Sequence, residues 1–132
     1  MAELRPRVLV DTDVLIDHLR GQRYARELLN EWSGRGLVGV STITHVEIYR
    51  GVRGPQEERK TRAFLAALLP VPVSVEIAQR AGTAIAYAAQ QGFTISIADG
   101  IVAATALELG IPLVTNNTAH YPFPELELVA GR

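Results

Sequence analysis

Arg7-Val8-Leu9-Val10-Asp11-Thr12-Asp13-Val14-Leu15-Ile16-Asp17 is the stretch on which the fold turns. Val8 to Val10 form a short, unbroken apolar run rich in β-branched side chains, as expected for a strand buried on both faces of a parallel sheet. The run stops at a carboxylate, Asp11. Val14, Leu15, Asp17, His18 and Leu19 then follow a helix-like spacing that ends at Gly21. In an open α/β sheet, ligands bind in the crevice beyond the carboxyl ends of the strands, where loops hand over to helix N-termini. Asp11 falls at that edge. An Asp between strand and helix serves equally as an N-cap, accepting from orphan N–H groups, or as a site carboxylate, and the same two roles are open to Asp13.

Outward from this unit the pattern repeats. Tyr24 to Trp32 reads as a helix with Ala25, Leu28, Leu29 and Trp32 on one face, stopping at Ser33-Gly34. Leu37 to Val40 is a second short apolar run, and Ser41-Thr42 offers a cap for a helix through Ile43 and Glu47 to Gly51. Gly51 to Pro55 is a break. Gln56 to Leu69 restarts as an amphipathic helix with Ala63, Phe64, Ala67 and Leu68 on its apolar side. Pro70 to Val73 allows only a short strand, because proline is confined to edges and strand starts. Ser74 can cap an Ala-rich helix reaching Gln91, with Ile77, Ala81, Ala84, Ile85 and Ala88 inward. Ser96 to Leu109 is a further helix closed by Gly110, Ile111 to Thr115 a strand, Asn116 to Pro124 a loop, and Leu126 to Val129 an edge strand. Strands alternating with helices imply parallel pairing through crossovers. The expected fold is a three-layer α/β/α domain, one unit over residues 1–132, with a central parallel sheet of four to five strands.

Bulk properties narrow the chemistry. The 132 residues are 48% hydrophobic and 20% charged, enough for one ordinary core. There is no cysteine, so disulfides, thiolate nucleophiles and thiolate metal sites are excluded. The sequence shows neither a signal-peptide order nor an apolar run of membrane-spanning length, and a cytoplasmic location without membrane contact is expected. The net charge of −1 gives no general attraction to nucleic acid, but eleven of the thirteen cations lie in residues 1–62. Twelve of the thirteen are arginine, whose planar fork suits phosphate and carboxylate. Most such arginines simply solvate helix faces, and Arg50 and Arg53, just past Glu47, are open to that role as well as to a phosphate contact.

Three more polar positions fall at places comparable to Asp11: Glu47 in an early turn after the second strand, Asp99 in the first turn after Ser96, and Asn117 just past Thr115. Each has a structural role open to it. Thr44-x-x-Glu47 and Ser96-x-x-Asp99 fit the capping-box pattern, and Asn116-Asn117 fits a turn. Capping gives no reason for all the acids to gather at one rim. Two carboxylates about 4 Å apart repel by roughly 4 kcal/mol at an effective dielectric of 20, so such a cluster needs a cation or raised pKa values. Oxygen ligands without His or Cys suit Mg²⁺ or Mn²⁺. Such ions support phosphodiester hydrolysis without a histidine base. The three histidines, His18, His45 and His120, have no metal-ligand spacing.

Four segments carry a resemblance: Val-Leu-Val-Asp11-Thr-Asp13-Val-Leu-Ile-Asp, Ile-Thr-His-Val-Glu47-Ile-Tyr-Arg-Gly, Ser-Ile-Ala-Asp99-Gly-Ile-Val-Ala-Ala-Thr-Ala and Leu-Val-Thr115-Asn-Asn117-Thr-Ala-His-Tyr-Pro. In order and spacing they resemble the four motifs of the PIN-domain nucleases, and more closely those of the VapC-type toxins of bacterial and archaeal toxin–antitoxin pairs. The match runs through essentially the whole chain. It implies an Mg²⁺- or Mn²⁺-dependent endoribonuclease leaving a 5′-phosphate and a 3′-hydroxyl, a homodimer, and a cognate VapB-type antitoxin that blocks the site. Carried over by position, Asp11, Glu47 and Asp99 form the acidic triad, with Asp11 and Asp99 as direct metal ligands. Asn117 occupies a fourth position that is Asp in many relatives; an amide brings no charge, so a second metal would be held more weakly. Asp13 stands where relatives often carry Asn or Ser and is an additional candidate acid. Thr115 is a candidate for orienting the loop or a water.

Two other functions compete. Asp11-Thr-Asp13-Val also resembles the nucleophile motif of haloacid-dehalogenase-type phosphatases, in which Asp11 would attack phosphorus. That chemistry wants a lysine at the phosphate and a late acidic pair, and the chain has only Lys60. The other is a catalytically silent module that works only by binding an antitoxin. Tyr24, Leu28 and Trp32 are expected first as core residues; the second role open to them is in an apolar groove left by the first two helices and the Gln56–Leu69 helix, where an antitoxin segment would dock by apolar anchors.

Overall fold

A computed structural model describes residues 4–132. Five parallel strands form one sheet: β1 (Val8–Val10), β2 (Val38–Ser41), β3 (Leu69–Val71), β4 (Leu113–Thr115) and β5 (Leu128–Ala130), in the order β3-β2-β1-β4-β5. Six helices connect them: α1 (Thr12–Leu19), α2 (Arg23–Ser33), α3 (Thr42–Tyr49), α4 (Gly54–Ala66), α5 (Val75–Gln90) and α6 (Ile97–Leu109). The three-layer α/β/α architecture with a parallel sheet is as expected, at the upper end of the strand count.

The central strand is β1, and its three residues are at most 1% exposed. Val8 and Val10 point into one core cluster with Val14, Leu15 and Leu29, whereas Leu9 joins Val102, Leu113 and Phe123 on the opposite face. This alternation across a two-sided core is why the run is apolar without a break. The proline-bearing β3 is an edge strand, as the missing N–H of Pro70 requires.

Helix boundaries follow local chemistry. The side chains of Ser41, Ser74 and Ser96 each accept from an N–H in the first turn of the following helix. Gly110 closes α6 at φ 66°, in the left-handed region that glycine enters without a Cβ penalty. Gly100 serves contact: a Cβ there would lie 2.5 Å from Cδ1 of Ile85, so its absence lets α6 approach α5.

Two local expectations need correction. The cap of α3 is Ser41, and Thr44 is a fully buried helix-interior residue, so Thr44 and Glu47 form no capping box. In α4 the buried face is Thr61 and Leu65, continued by Leu68 beyond its end, while Ala63 and Ala67 are exposed. Small alanines satisfy a periodic pattern on either side, and the larger Leu65 wins the core. Tyr24, Leu28 and Trp32 of α2 pack against the core, the first of the two roles open to them. A groove of about 420 Å³ lies between α1, α3 and α4, lined by Ile16, Leu19, Arg20, Glu47, Ile48 and Lys60 among others.

Candidate active site

Because all strands run the same way, the residues that follow β1, β2 and β4 share one edge. The order of strands reverses between β1 and β4, and such a switch point opens a crevice at the carboxyl edge. Asp11 follows one of these strands and Thr115 to Asn117 end and follow the other.

Asp11 divides its two oxygens between a helix cap and a pair of hydroxyl donors. One oxygen, Oδ1, accepts from the Thr12 N–H at 2.8 Å and caps α1. The other, Oδ2, accepts from the Thr115 hydroxyl at 2.8 Å and from the Tyr121 hydroxyl at 2.7 Å. Asp11 is only 6% exposed and Thr115 is fully buried. The same Tyr121 oxygen lies 3.2 Å from Oδ1 of Asp99, in the first turn of α6. Asp11 and Asp99, from opposite ends of the chain, thus meet across one phenol.

Glu47 joins through a hydroxyl. It sits in the second turn of α3, and its Oε1 accepts from Thr12 Oγ1 at 2.7 Å, with Thr44 Oγ1 3.0 Å behind. Its other environment is the groove between α1, α3 and α4. Asp13 belongs to a second, outer set. Its Oδ1 accepts from Val14 N, and its Oδ2 accepts from Asn116 N at 2.9 Å and from Asn117 Nδ2 at 3.1 Å. The Asn117 N–H donates to Thr115 Oγ1 at 3.0 Å, which ties the outer set to the inner one. Behind Asn116, its amide donates to Tyr24, whose hydroxyl donates to Asp17.

The site is electrostatically unbalanced. Burial pushes the Asp11 carboxyl above its usual range, against the pull of the hydrogen bonds from Tyr121, Thr115 and Thr12, and the charge of Asp99 adds to the rise. Burial raises Asp13 too, followed by the charge of Asp11. Burial and the two neighbouring aspartates hold the Tyr121 phenol protonated, as a hydrogen-bond donor. Among the described residues no Lys or Arg pairs with Asp11, Asp13, Glu47 or Asp99; the one cation-capable neighbour is His120, whose Nδ1 is 3.5 Å from Asp99 Oδ2.

These features fit a hard divalent cation: oxygen-only donors, a desolvated carboxylate, and no resident positive side chain. Among the described residues no three His, Asp or Glu side chains converge closely enough to form a protein cage.

Four expected residues, Asp11, Asp99, Thr115 and, through Thr12, Glu47, are brought into one hydrogen-bonded network. Asp13 and Asn117 adjoin it. Thr12 and Tyr121, both inside the four segments, and His120, which has no metal-ligand spacing, join the site only through contacts that the fold makes. For Tyr121 the only available signal was a phenol in the loop that also carries Asn117.

The family model described as the PIN domain matches residues 8–126. Ribonuclease VapC10 of Mycobacterium tuberculosis is 35% identical over 89% of this chain and 88% of its own length. A solved toxin–antitoxin complex from Klebsiella pneumoniae is 29% identical, covering 95% of this chain and 98% of the solved one at a TM-score of 0.77. VapBC2 from Rickettsia felis, bound to a DNA fragment from its promoter, shares the fold at a TM-score of 0.83 and 20% identity, covering 93% and 97% of the two chains. With an uninterrupted family match from the first strand to the last loop and an acidic pair at the sheet's switch point, the chain belongs to the PIN-domain family, among its VapC-type members.

Proposed function

We propose that this protein is the toxin of a VapBC-type pair, a divalent-metal-dependent endoribonuclease, with its 132 residues acting as one PIN domain in the cytoplasm. The observation that carries this is the meeting of Asp11 and Asp99 at one phenol oxygen, at the crevice between β1 and β4. The ribonuclease name of its relatives and the antitoxin complexes among its structural neighbours support the substrate and the partner. Asp11 and Asp99 would hold Mg²⁺ or Mn²⁺, which supplies Lewis acidity toward a phosphodiester and lowers the pKa of water.

The chain's own residues supply orientation and proton handling. Thr12 N–H, Thr115 and Tyr121 fix the Asp11 carboxylate from three directions. Glu47, aimed by the Thr12 hydroxyl, is the carboxylate free to accept the proton of the attacking water. The new bond forms from that water's oxygen to phosphorus, and the bond to the 3′ oxygen breaks, with that oxygen taking a proton from solvent; the products are a 5′-phosphate and a 3′-hydroxyl. Asn117 and Asp13, bonded to each other, line the outer rim, where a neutral amide adds little charge for a second ion. An antitoxin segment would enter the groove between α1, α3 and α4, which opens at Glu47. A homodimer completes the assembly.

Purified protein freed of antitoxin should cleave RNA with Mg²⁺ or Mn²⁺ and lose this activity in Asp11→Ala or Asp99→Ala. Full cleavage in EDTA would overturn the proposal. A phosphatase using Asp11 as nucleophile is disfavoured by Lys60, whose ammonium is taken up by the Leu19 carbonyl at 3.1 Å.

A further inference from the structure

We infer that Tyr121 is a positioning residue of this site: its hydroxyl, and not its ring, orients Asp11 and spaces it from Asp99 for cation binding. The inference rests on the metal-dependent reading above. It begins from the loop after β4. Tyr121 follows a short 3-10 turn, Thr118–His120, and is 3% exposed, with its ring in the cluster of Leu9, Val102, Leu113 and Phe123. A side chain held that firmly has its hydroxyl placed by the core and not by solvent.

That hydroxyl has one proton and two lone pairs. The shorter contact, 2.7 Å to Asp11 Oδ2, is the charge-assisted donation. The 3.2 Å contact to Asp99 Oδ1 then sets two oxygens side by side with no proton to share when both carboxylates are ionised. The phenol oxygen therefore stands between the two acids and prevents their closing over a shared proton, the alternative that a bare carboxylate pair adopts.

Lone pairs on Asp11 give the second half. A carboxylate offers about four acceptor directions. Oδ2 receives both Thr115 and Tyr121, and Oδ1 receives Thr12 N–H. One direction is left, on Oδ1. Removing the Tyr121 hydroxyl frees a second direction on Oδ2 and lets the carboxylate turn. Partners that orient a metal-binding carboxylate in this way change metal affinity by about 10–100-fold when removed.

The test is Mn²⁺ binding by calorimetry to the antitoxin-free protein, comparing wild type, Tyr121→Phe and Asp99→Asn. Phenylalanine keeps the ring in its cluster, so a purely structural role predicts wild-type binding. The expected result is a folded Tyr121→Phe protein that binds Mn²⁺ about 10–100-fold more weakly. Affinity within twofold of wild type would overturn the role of Tyr121 while leaving the metal reading intact, provided Asp99→Asn abolishes binding. Absence of binding by the wild type would overturn both. Failure of Tyr121→Phe to fold would overturn the positioning role, because the hydroxyl would then serve the fold.

Discussion

Two halves of the candidate site solve the problem of holding a carboxylate differently. The inner half, Asp11 with Thr115 and Tyr121, is cut off from solvent: 6%, 0% and 3% exposed. The outer half pairs a partly exposed Asp13 with an exposed Asn117 amide. Inside, hydration is replaced by three fixed donors, and burial still raises Asp11. At the rim, water can share the work. A buried carboxylate without a counter-charge lowers stability, and the cost is smaller for the less enclosed Asp13, which burial also raises. The inner half is therefore where a cation gains most and where substitution has the largest consequences.

Replacing the inner charge should have the largest effect. Asp11→Asn keeps the shape and removes the ionised form, and RNA cleavage should fall about 10²–10³-fold. The same change should remove a pH dependence from the free protein's stability. The sign follows from linkage. A carboxyl raised above its unfolded value of 3.8 binds more protons when folded. Its stabilising contribution is full below that value and is lost as pH rises through the folded-state value. Wild type should lose melting temperature relative to Asp11→Asn as pH is raised from acid to neutral without metal. Parallel melting curves across that range would dissolve the contrast between the halves.

Thr115→Val comes next, because it strips one donor from a buried carboxylate and the acceptor of the Asn117 N–H together. The cost to unfolding free energy in urea should be about 1–3 kcal/mol. The smallest effect belongs to the rim. Asn117→Ala removes an exposed hydrogen bond to Asp13, and cleavage should change by about tenfold or less, as one net hydrogen bond allows. A loss as large as that of Asp11→Asn would mean that the outer half shares the chemistry equally.

Legibility in the sequence varied with the range of the interaction. Asp11, Ser96 and Gly110 announce themselves because capping and left-handed turns involve neighbours within a few positions. The buried face of α4 was misjudged because alanine is indifferent to burial, and only the space beside β2 and α1 decides for Leu65. Thr12 as the link to Glu47 was hidden because the two are joined by a fold-level contact across 35 positions. Tyr121 was hidden more deeply, since its ring reads as core and its hydroxyl acquires meaning only beside two acids.

The linear order of residues was enough to establish alternating strands and helices and the parallel sheet, and to place each acid just after a strand or early in a helix, because these follow from periodicity and local hydrogen bonding. Only the tertiary structure decided the strand order β3-β2-β1-β4-β5, the groove between α1, α3 and α4, and the phenol shared by Asp11 and Asp99. Those depend on how large side chains fill a common core. Contacts of that kind leave no regular spacing along the chain.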